Sequence, residues 1–514
     1  MTQTRILKTA AKLTTAAAVA AVIVTGLSAQ ADLSSNKTAS SQAPAAQTDL
    51  LIKFRDTATL KNFALFSQGA GSKVETLGTT NWVHVKLSNK QLQQVSIEDI
   101  RANPEVLAVQ PNYKLHLLEN YQLKTPALRA QFAKLAAASG ATPTAMPADN
   151  PPFPTAPSGG TGADPDFSKQ WGMNDIGLKK GLTKHRGEGV VVAVIDTGVD
   201  YTHEDLVDNV WHNKGEMGTD ASGKDKSSNG IDDDQNGYID DIIGWDFVSN
   251  DNKPFDLAVD PMQLLTDGGN PGHGTHCAGN VGARGDNGKG VEGIAPNAQI
   301  MPLRFLSEKG AGDTAGAIKA IDYAVKMGAK VLSNSWGSEG DDPSEADKNQ
   351  ALKESITRAD QAGVIFIAAA GNGHSGVGYD NDSDAKPGYP ASYDIPNIVS
   401  VGAIDVQNAL GAFSNWGART VHIAAPGVAV YSTTVGSHYS DTVIDMYGIK
   451  ATWDGTSMAA PHVAGAATLY LSAHPGATVK QIKDALIQSA TPLPNLAGKM
   501  VSGGKLNIEK LMAE

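Results

Sequence analysis

Val190-Val191-Val192-Ala193-Val194-Ile195-Asp196-Thr197-Gly198 reads as a strand with no polar face, closed by an aspartate and a turn. A strand that is apolar on both sides belongs in a sheet covered on both sides, which points to parallel strands joined by helices. The pattern repeats outward along the chain. Strand candidates at Gln299–Leu303, Lys330–Asn334, Val364–Ala369 and Ile398–Val401 alternate with helical stretches at Gly274–Gly282, Thr314–Met327, Glu345–Ala362, Met458–Ala473 and Val479–Ser489. The expected fold class is therefore α/β, a mostly parallel sheet with helices on both faces, over residues 163–514. In such folds reactive side chains collect at the carboxyl ends of the strands.

Four polar residues fall at the ends of buried elements. Asp196 closes the first strand. His273 lies in Gly272-His273-Gly274-Thr275-His276, flanked by glycines that permit close approach of other backbone. Asn372 follows the apolar run Val364-Ile365-Phe366-Ile367-Ala368-Ala369-Ala370-Gly371. Ser457 opens Gly455-Thr456-Ser457-Met458-Ala459-Ala460-Pro461-His462-Val463-Ala464-Gly465, which leads into a buried helix. A helix tolerates proline in its first turn, so Pro461 is expected to place the helix start near Ser457, at the positive end of the dipole. Each residue alone has a plain structural reading: an N-cap for Ser457 and turn residues for Asp196 and Asn372. Together they supply a nucleophile, a base, an acid to orient the base, and an oxyanion donor. A zinc site is disfavoured, because the His-Glu-x-x-His acid is missing.

The three segments around Asp196, His273 and Ser457 resemble the signatures of the subtilisin family of serine proteases, in the order Asp, His, Ser known for that family. The resemblance covers roughly residues 164–514. It implies Ser457 as nucleophile, His273 as general base and then acid, Asp196 as the residue holding the imidazole tautomer, and Asn372 as the oxyanion donor beside the Ser457 N–H. It also implies that substrate lies as an added strand against Ser335-Trp336-Gly337, with Gly310-Ala311-Gly312 as the opposite wall. The primary pocket, flanked by Ala369-Ala370-Gly371, carries no acid. Broad cleavage after apolar or uncharged bulky side chains is expected, with Thr314 and Ala317 leaving room in a remoter pocket that Trp336 partly fills. Activity should rise with pH as His273 loses its proton. Two other readings share this constellation: a peptide ligase or cyclase, and a catalytically silent binding protein.

The rest of the chain fits an exported zymogen. Residues 1–31 carry a basic start, an apolar run and Ala29-Gln30-Ala31, the parts of a signal peptide, which predicts a secreted or periplasmic protein with no stable membrane span after cleavage. Residues 32–48 read as a linker. Residues 49–118 read as a small α+β unit: a strand at Leu50–Phe54, a helix at Ala58–Phe66, a half-buried strand at Trp82–Leu87, a helix capped by Asn89, and a strand at Val106–Val109. By resemblance this is a propeptide that aids folding and blocks the cleft as an intramolecular inhibitor. Residues 119–162 read as a linker or activation segment, and the processing cut is placed either near Leu118 or nearer Asp164. The net charge of −12 disfavours nucleic acid as a partner, which leaves protein and peptide substrates.

With one cysteine, Cys277, the chain forms no internal disulfide, so another brace is expected. Cys277 itself reads as a small buried hydrophobe four residues after His273. The run Asp232-Asp233-Asp234-Gln235-Asn236-Gly237-Tyr238-Ile239-Asp240-Asp241 has the oxygen-rich, glycine-turned spacing of a calcium loop. Its final glutamate is absent, since Ile243 stands there. Ca2+ ligands are expected among Asp232, Asp234, Asn236, Asp240 and Asp241, because so many carboxylates repel one another without a cation. A second calcium site, at Asp164, Asp205 and Asn287, is implied by the resemblance.

Overall fold

The computed structural model describes residues 49–56, 73–78, 80–87, 97–118, 134, 151–152 and 160–513, the last range without 183, 339–347 and 447. The signal peptide, the helices expected at 58–66 and after Asn89 up to residue 96, and most of the 119–162 segment lie outside the described residues. Among the described residues no helix is long and apolar enough to cross a membrane.

The large unit is built on a nine-stranded sheet. From one edge to the other its strands are Thr491–Pro492, Gly504–Lys505, Ile423–Pro426, Ile398–Ile404, Ile365–Ala369, Val331–Asn334, Val191–Asp196, Gln299–Arg304 and Trp245–Asp246. All neighbours are parallel except the first pair. The alternation of the opening strand explains the layering. Val192 and Val194 pack on one side with Ala459, Val463 and Ala464 of the serine helix Thr456–Ala473. Ala193 and Ile195 face the other side, with Ile321 and Ile356 of the helices Thr314–Lys326 and Gln350–Gln361. Both faces are buried, as the apolar run predicts.

The small unit is a four-stranded antiparallel sheet in the order Lys73–Thr76, Trp82–Lys86, Asp49–Phe54, Val106–Pro111. One face forms its own core from Leu50, Ile52, Phe54, Val83, Val85 and Ile100. The other presents Leu51, Leu77 and Trp82 to Ala315, Ile318 and Ala351 of the large unit. The strand Trp82–Lys86 is half-buried as its alternation suggested, with Val83 and Val85 in the small core; on its other face Trp82 is buried beneath the large unit while Lys86 is exposed. The contact also completes two helix starts, whose first N–H groups have no partner within the helix. Ala315 N–H donates to Asn112 Oδ1 at 3.0 Å, Thr314 N–H to the Tyr113 carbonyl at 2.9 Å, and Ala351 N–H to Gln110 Oε1 at 3.0 Å. Glu354 accepts from Lys53 Nζ at 2.8 Å and from Trp82 Nε1 at 2.9 Å.

Beyond Pro111 the chain leaves the small sheet. Lys114–Leu117 runs as the middle strand of a three-stranded antiparallel sheet between Trp336–Gly337 and Ala311–Asp313.

Candidate active site

Asp196 is the last residue of its strand, and His273 the first residue of the helix His273–Gly282. His273 Nδ1 lies 2.8 Å from Asp196 Oδ1, with both side chains buried. The two loops touch without side chains between them: a Cβ on Gly274 would collide with the Gly198 carbonyl. Glycine is required there by close approach of backbone.

A buried carboxylate that sequence reasoning missed ties these loops together. Asp256 Oδ1 accepts from Thr197 Oγ1 at 2.9 Å and Asn270 Nδ2 at 2.7 Å, and its Oδ2 accepts from the Thr275 N–H at 2.8 Å and Oγ1 at 2.7 Å. Asn270 Oδ1 in turn accepts the N–H groups of Gly272 and His273. Burial pushes the Asp256 carboxyl up to about 6. No motif marks Asp256, because its partners are distant in sequence.

The serine helix begins at Thr456, so Ser457 lies in its first turn as expected. The proline argument needs correction. Pro461 is inside the helix, one turn beyond Ser457, and not in the first turn. Lacking an N–H, Pro461 leaves the Ser457 carbonyl without its helical donor. Two side chains take that place: Ser335 Oγ donates at 2.8 Å and the Cys277 thiol at 3.5 Å. Cys277 is buried as expected, with Sγ 3.8 Å from His273 Nδ1, and burial pushes its thiol up to about 11, so it stays protonated.

Asn372 is oriented by the same helix start. Its Oδ1 accepts from the Thr456 N–H and Oγ1, both at 2.9 Å. A backbone N–H can only donate, so the amide NH2 must point the other way. There Nδ2 donates to the Leu118 carbonyl at 2.7 Å. Gly371, the residue before Asn372, donates its N–H to Thr456 Oγ1 at 3.1 Å.

The expected substrate-binding segments hold the chain's own strand. Leu117 pairs with Trp336, His116 with both Gly337 and Ala311, and Leu115 with Gly312, while the Leu117 N–H donates to the Gly310 carbonyl at 2.9 Å. Ser335 lies under the serine helix and does not pair with the strand. Trp336 packs edge-on to Phe305, with ring centroids 4.9 Å apart, in one apolar cluster with Ala317, Leu115 and Leu117. Thr314 binds the Tyr113 carbonyl through both N–H and hydroxyl. Leu118 shares its cluster with Ala369, whereas Ala370 packs elsewhere, with Ile404 and Met500. Gly371 is backed by Asn415, whose side chain a Cβ there would strike.

The acidic loop is rearranged relative to expectation. Asp234 and Asp241 come together with Glu216, each offering an oxygen within 4.8 Å of the others. Asn213 Nδ2 bridges Asp234 at 2.9 Å and Asp241 at 2.8 Å, and Asn236 Nδ2 donates to Asp241 at 2.8 Å. Asp232 instead accepts the N–H groups of Asn236 and Gly237, and Asp240 that of Gly230. Both thus help to close the loop, and Asp232 shares the Asn236 N–H with Asp234 Oδ1 at 3.0 Å. Glu216, from the short helix Lys214–Glu216, was missed because it precedes the loop by sixteen residues. It is fully buried, its Oε2 has no hydrogen-bond partner among the described residues, and burial raises its pKa. The second expected set does converge: Asn287 Nδ2 donates to Asp205 Oδ1 at 2.7 Å and the Asn287 N–H to Asp164 Oδ1 at 3.2 Å. Burial pushes Asp205 up to about 6.

Residues 187–504 match the subtilase family, Peptidase S8. Over 348 residues the chain is 32% identical to thermitase from Thermoactinomyces vulgaris, covering 68% of this chain and 97% of that protein. Subtilisin DY from Bacillus licheniformis is 33% identical over 326 residues, 63% of this chain and 91% of its own length. A thermophilic serine proteinase from Bacillus sp. (strain AK1) is 33% identical over 319 residues; the match spans 62% of this chain but only 60% of that relative. Among solved structures, fervidolysin from Fervidobacterium pennivorans, described as a keratinolytic enzyme related to subtilisin, superposes with a TM-score of 0.61 over 91% of this chain and 61% of its own, at 22% identity. That likeness speaks for the fold.

Proposed function

Because this chain belongs to the subtilase family of serine peptidases, we propose that it is a secreted endopeptidase, made as a zymogen, that hydrolyses peptide bonds through Asp196, His273 and Ser457. The observation that carries this reading is the Asn372 amide donating to a peptide carbonyl at 2.7 Å, at the start of the helix that bears Ser457. In the proposed cycle His273 takes the Ser457 proton as Oγ attacks the carbonyl carbon. Asp196, bound to Nδ1, holds the ring with Nε2 toward the serine and stabilises the imidazolium. Asn372 and the Ser457 N–H meet the oxyanion. His273 then gives its proton to the leaving amine, and water releases the acyl group.

The substrate is proposed to be an extended peptide laid between Trp336–Gly337 and Ala311–Asp313, where the chain's own strand now sits. The apolar neighbours there, Ala369 in the cluster of Leu118 and Phe305 and Trp336 in that of Leu115 and Leu117, support cleavage after uncharged bulky residues. Residues 49–118 would serve as the inhibitor, removed on maturation. The predicted signal peptide and the family support secretion.

We further propose structural Ca2+. The Glu216, Asp234 and Asp241 oxygens would offer a hard cation three carboxylates, and the buried Oε2 of Glu216, unpartnered among the described residues, is the observation in favour. Asp164, Asp205 and Asn287 form a second candidate set. A bound cation there would neutralise buried carboxylates and brace a chain without disulfides.

Casein hydrolysis with and without a chelator, and labelling by a fluorophosphonate, test the proposal. Activity blocked by the label and abolished in Ser457→Ala is expected. A protein that neither labels nor cuts casein after removal of residues 49–118 would refute it.

A further inference from the structure

We infer that the first bond this protein cuts is its own Leu118–Glu119 bond, and that its cleft is built for peptides with leucine-sized apolar residues at the first, second and fourth positions before the cut. The inference rests on the reading of the protein as a Ser457 endopeptidase. It fixes the bond and the side chains that this reading leaves open.

Three observations converge on one carbonyl. The strand Lys114–Leu117 is paired on both edges, to Trp336–Gly337 and to Ala311–Asp313, which fixes its register residue by residue. A one-residue slip would put His116 where Leu117 is buried. One residue past the strand, the Leu118 carbonyl receives the Asn372 amide at 2.7 Å. That amide has one orientation, since Thr456 holds its oxygen through two hydrogen bonds. A carbonyl held by an oxyanion donor at the start of the Ser457 helix is the one poised for attack.

The side chains agree with that register. Leu118, Leu117 and Leu115 are buried to 4%, 8% and 2% exposure, while His116 between them faces out. Leu118 packs beside Gly337, where an added Cβ would stand 3.3 Å from its Cδ2, and Leu117 beside Gly310, where the distance would be 3.1 Å. Small residues at 310 and 337 therefore make room for these leucines. Leu115 lies with Phe305, Ala317 and Trp336.

In the cut, Ser457 Oγ bonds to the Leu118 carbonyl carbon and its proton passes to His273. The carbon–nitrogen bond to Glu119 breaks, and the Glu119 amine leaves with that proton. Water then cleaves the ester, giving the Leu118 carboxylate and restoring the Ser457 hydroxyl. The released end stays in the cleft as a product strand, still paired on both edges. Residues from Glu119 onward remain attached to the catalytic unit.

The test expresses the full-length chain as wild type, Ser457→Ala and Leu118→Asp, and reads the new termini by mass spectrometry. Wild type is expected to yield one fragment ending at Leu118 and one beginning at Glu119, with Ser457→Ala uncut at that bond. Leu118→Asp, which places a carboxylate in an apolar pocket, should slow the cut by on the order of a hundredfold. First cleavage elsewhere, for example near Asp164, in a protein whose Ser457→Ala form stays intact, would overturn the bond assignment and spare the endopeptidase reading. Equal processing of wild type and Ser457→Ala would sink both. If Leu118→Asp fails to fold, a synthetic peptide of residues 112–123 given to active enzyme decides: cleavage after its Leu118 supports the register, and cleavage at another bond overturns it.

Discussion

Pro461 and Ser335 act on one atom, the Ser457 carbonyl oxygen, and that makes their effects non-additive. In Ser335→Ala the carbonyl loses its 2.8 Å hydroxyl donor, and the Cys277 thiol at 3.5 Å is a weaker substitute. Leaving a buried acceptor poorly satisfied costs about 1–2 kcal/mol. In Pro461→Ala, residue 461 regains an N–H that can donate to the carbonyl four residues back, so the serine hydroxyl is no longer needed. Ser335→Ala should therefore cost about 1 kcal/mol less in the Pro461→Ala background, a coupling of the size found for residues sharing a partner. Thermal unfolding of the four proteins, all carrying Ser457→Ala to prevent self-digestion, measures this. A loss of about 1–3 °C for Ser335→Ala alone is expected from the size of the domain, shrinking by half or more when Pro461 is also replaced. Equal losses in both backgrounds would refute the claim that the hydroxyl substitutes for a missing helical donor.

Asn372→Ala should lower kcat by roughly a hundred- to a thousandfold with little change in KM, the usual size of effect for removing one oxyanion donor; steady-state kinetics on a Leu-containing peptide checks it, and a change confined to KM would contradict the proposed role. Asp256→Asn replaces an acceptor of four hydrogen bonds with a group that must present donors to donors, so it should destabilise the fold by about 2–4 kcal/mol by leaving one or two buried N–H groups unpaired; denaturant unfolding that matches wild type would contradict this. Burial alone would lower the His84 pKa, but its contacts with Asp49 at 2.6 Å and Glu75 at 3.9 Å raise it above the ordinary histidine value. That contribution is complete below the unfolded value and is lost as pH rises through the folded one, so the small unit of Ser457→Ala protein should unfold at lower denaturant at pH 9 than at pH 6, and His84→Gln should flatten the difference. Chelation should lower the unfolding temperature and added Ca2+ restore it, by about 2.7 kcal/mol at a hundredfold excess over Kd; Glu216→Gln retaining the full calcium effect would move the site elsewhere.

The sequence by itself determined the five central strands of the sheet, because apolar runs such as Val191–Ile195 are buried whichever neighbours they find, and four of them fall within a residue of expectation. The fifth, Ile398–Ile404, runs three residues past Val401, the helix expected from Glu345 starts at Gln350, and the shorter strands Trp245–Asp246, Ile423–Pro426, Thr491–Pro492 and Gly504–Lys505 were not marked by such runs. It also determined the four residues at the ends of those runs, because glycine-flanked polar residues closing apolar elements are a local pattern. What only the tertiary structure decided are the contacts between residues far apart in the chain. Asp256 joins Thr197, Asn270 and Thr275 through hydrogen bonds with no spacing rule. Glu216 joins Asp234 and Asp241 from sixteen residues before the acidic loop, a convergence that no spacing rule announces. Pro461 lies a turn deeper than first-turn preference allows, since Ser335 and Cys277 satisfy the carbonyl it abandons. And the proposal of Leu118 over Asp164 as the processing point could not come from composition, because it rests on which carbonyl reaches Asn372, a distance set by strand pairing across more than two hundred residues.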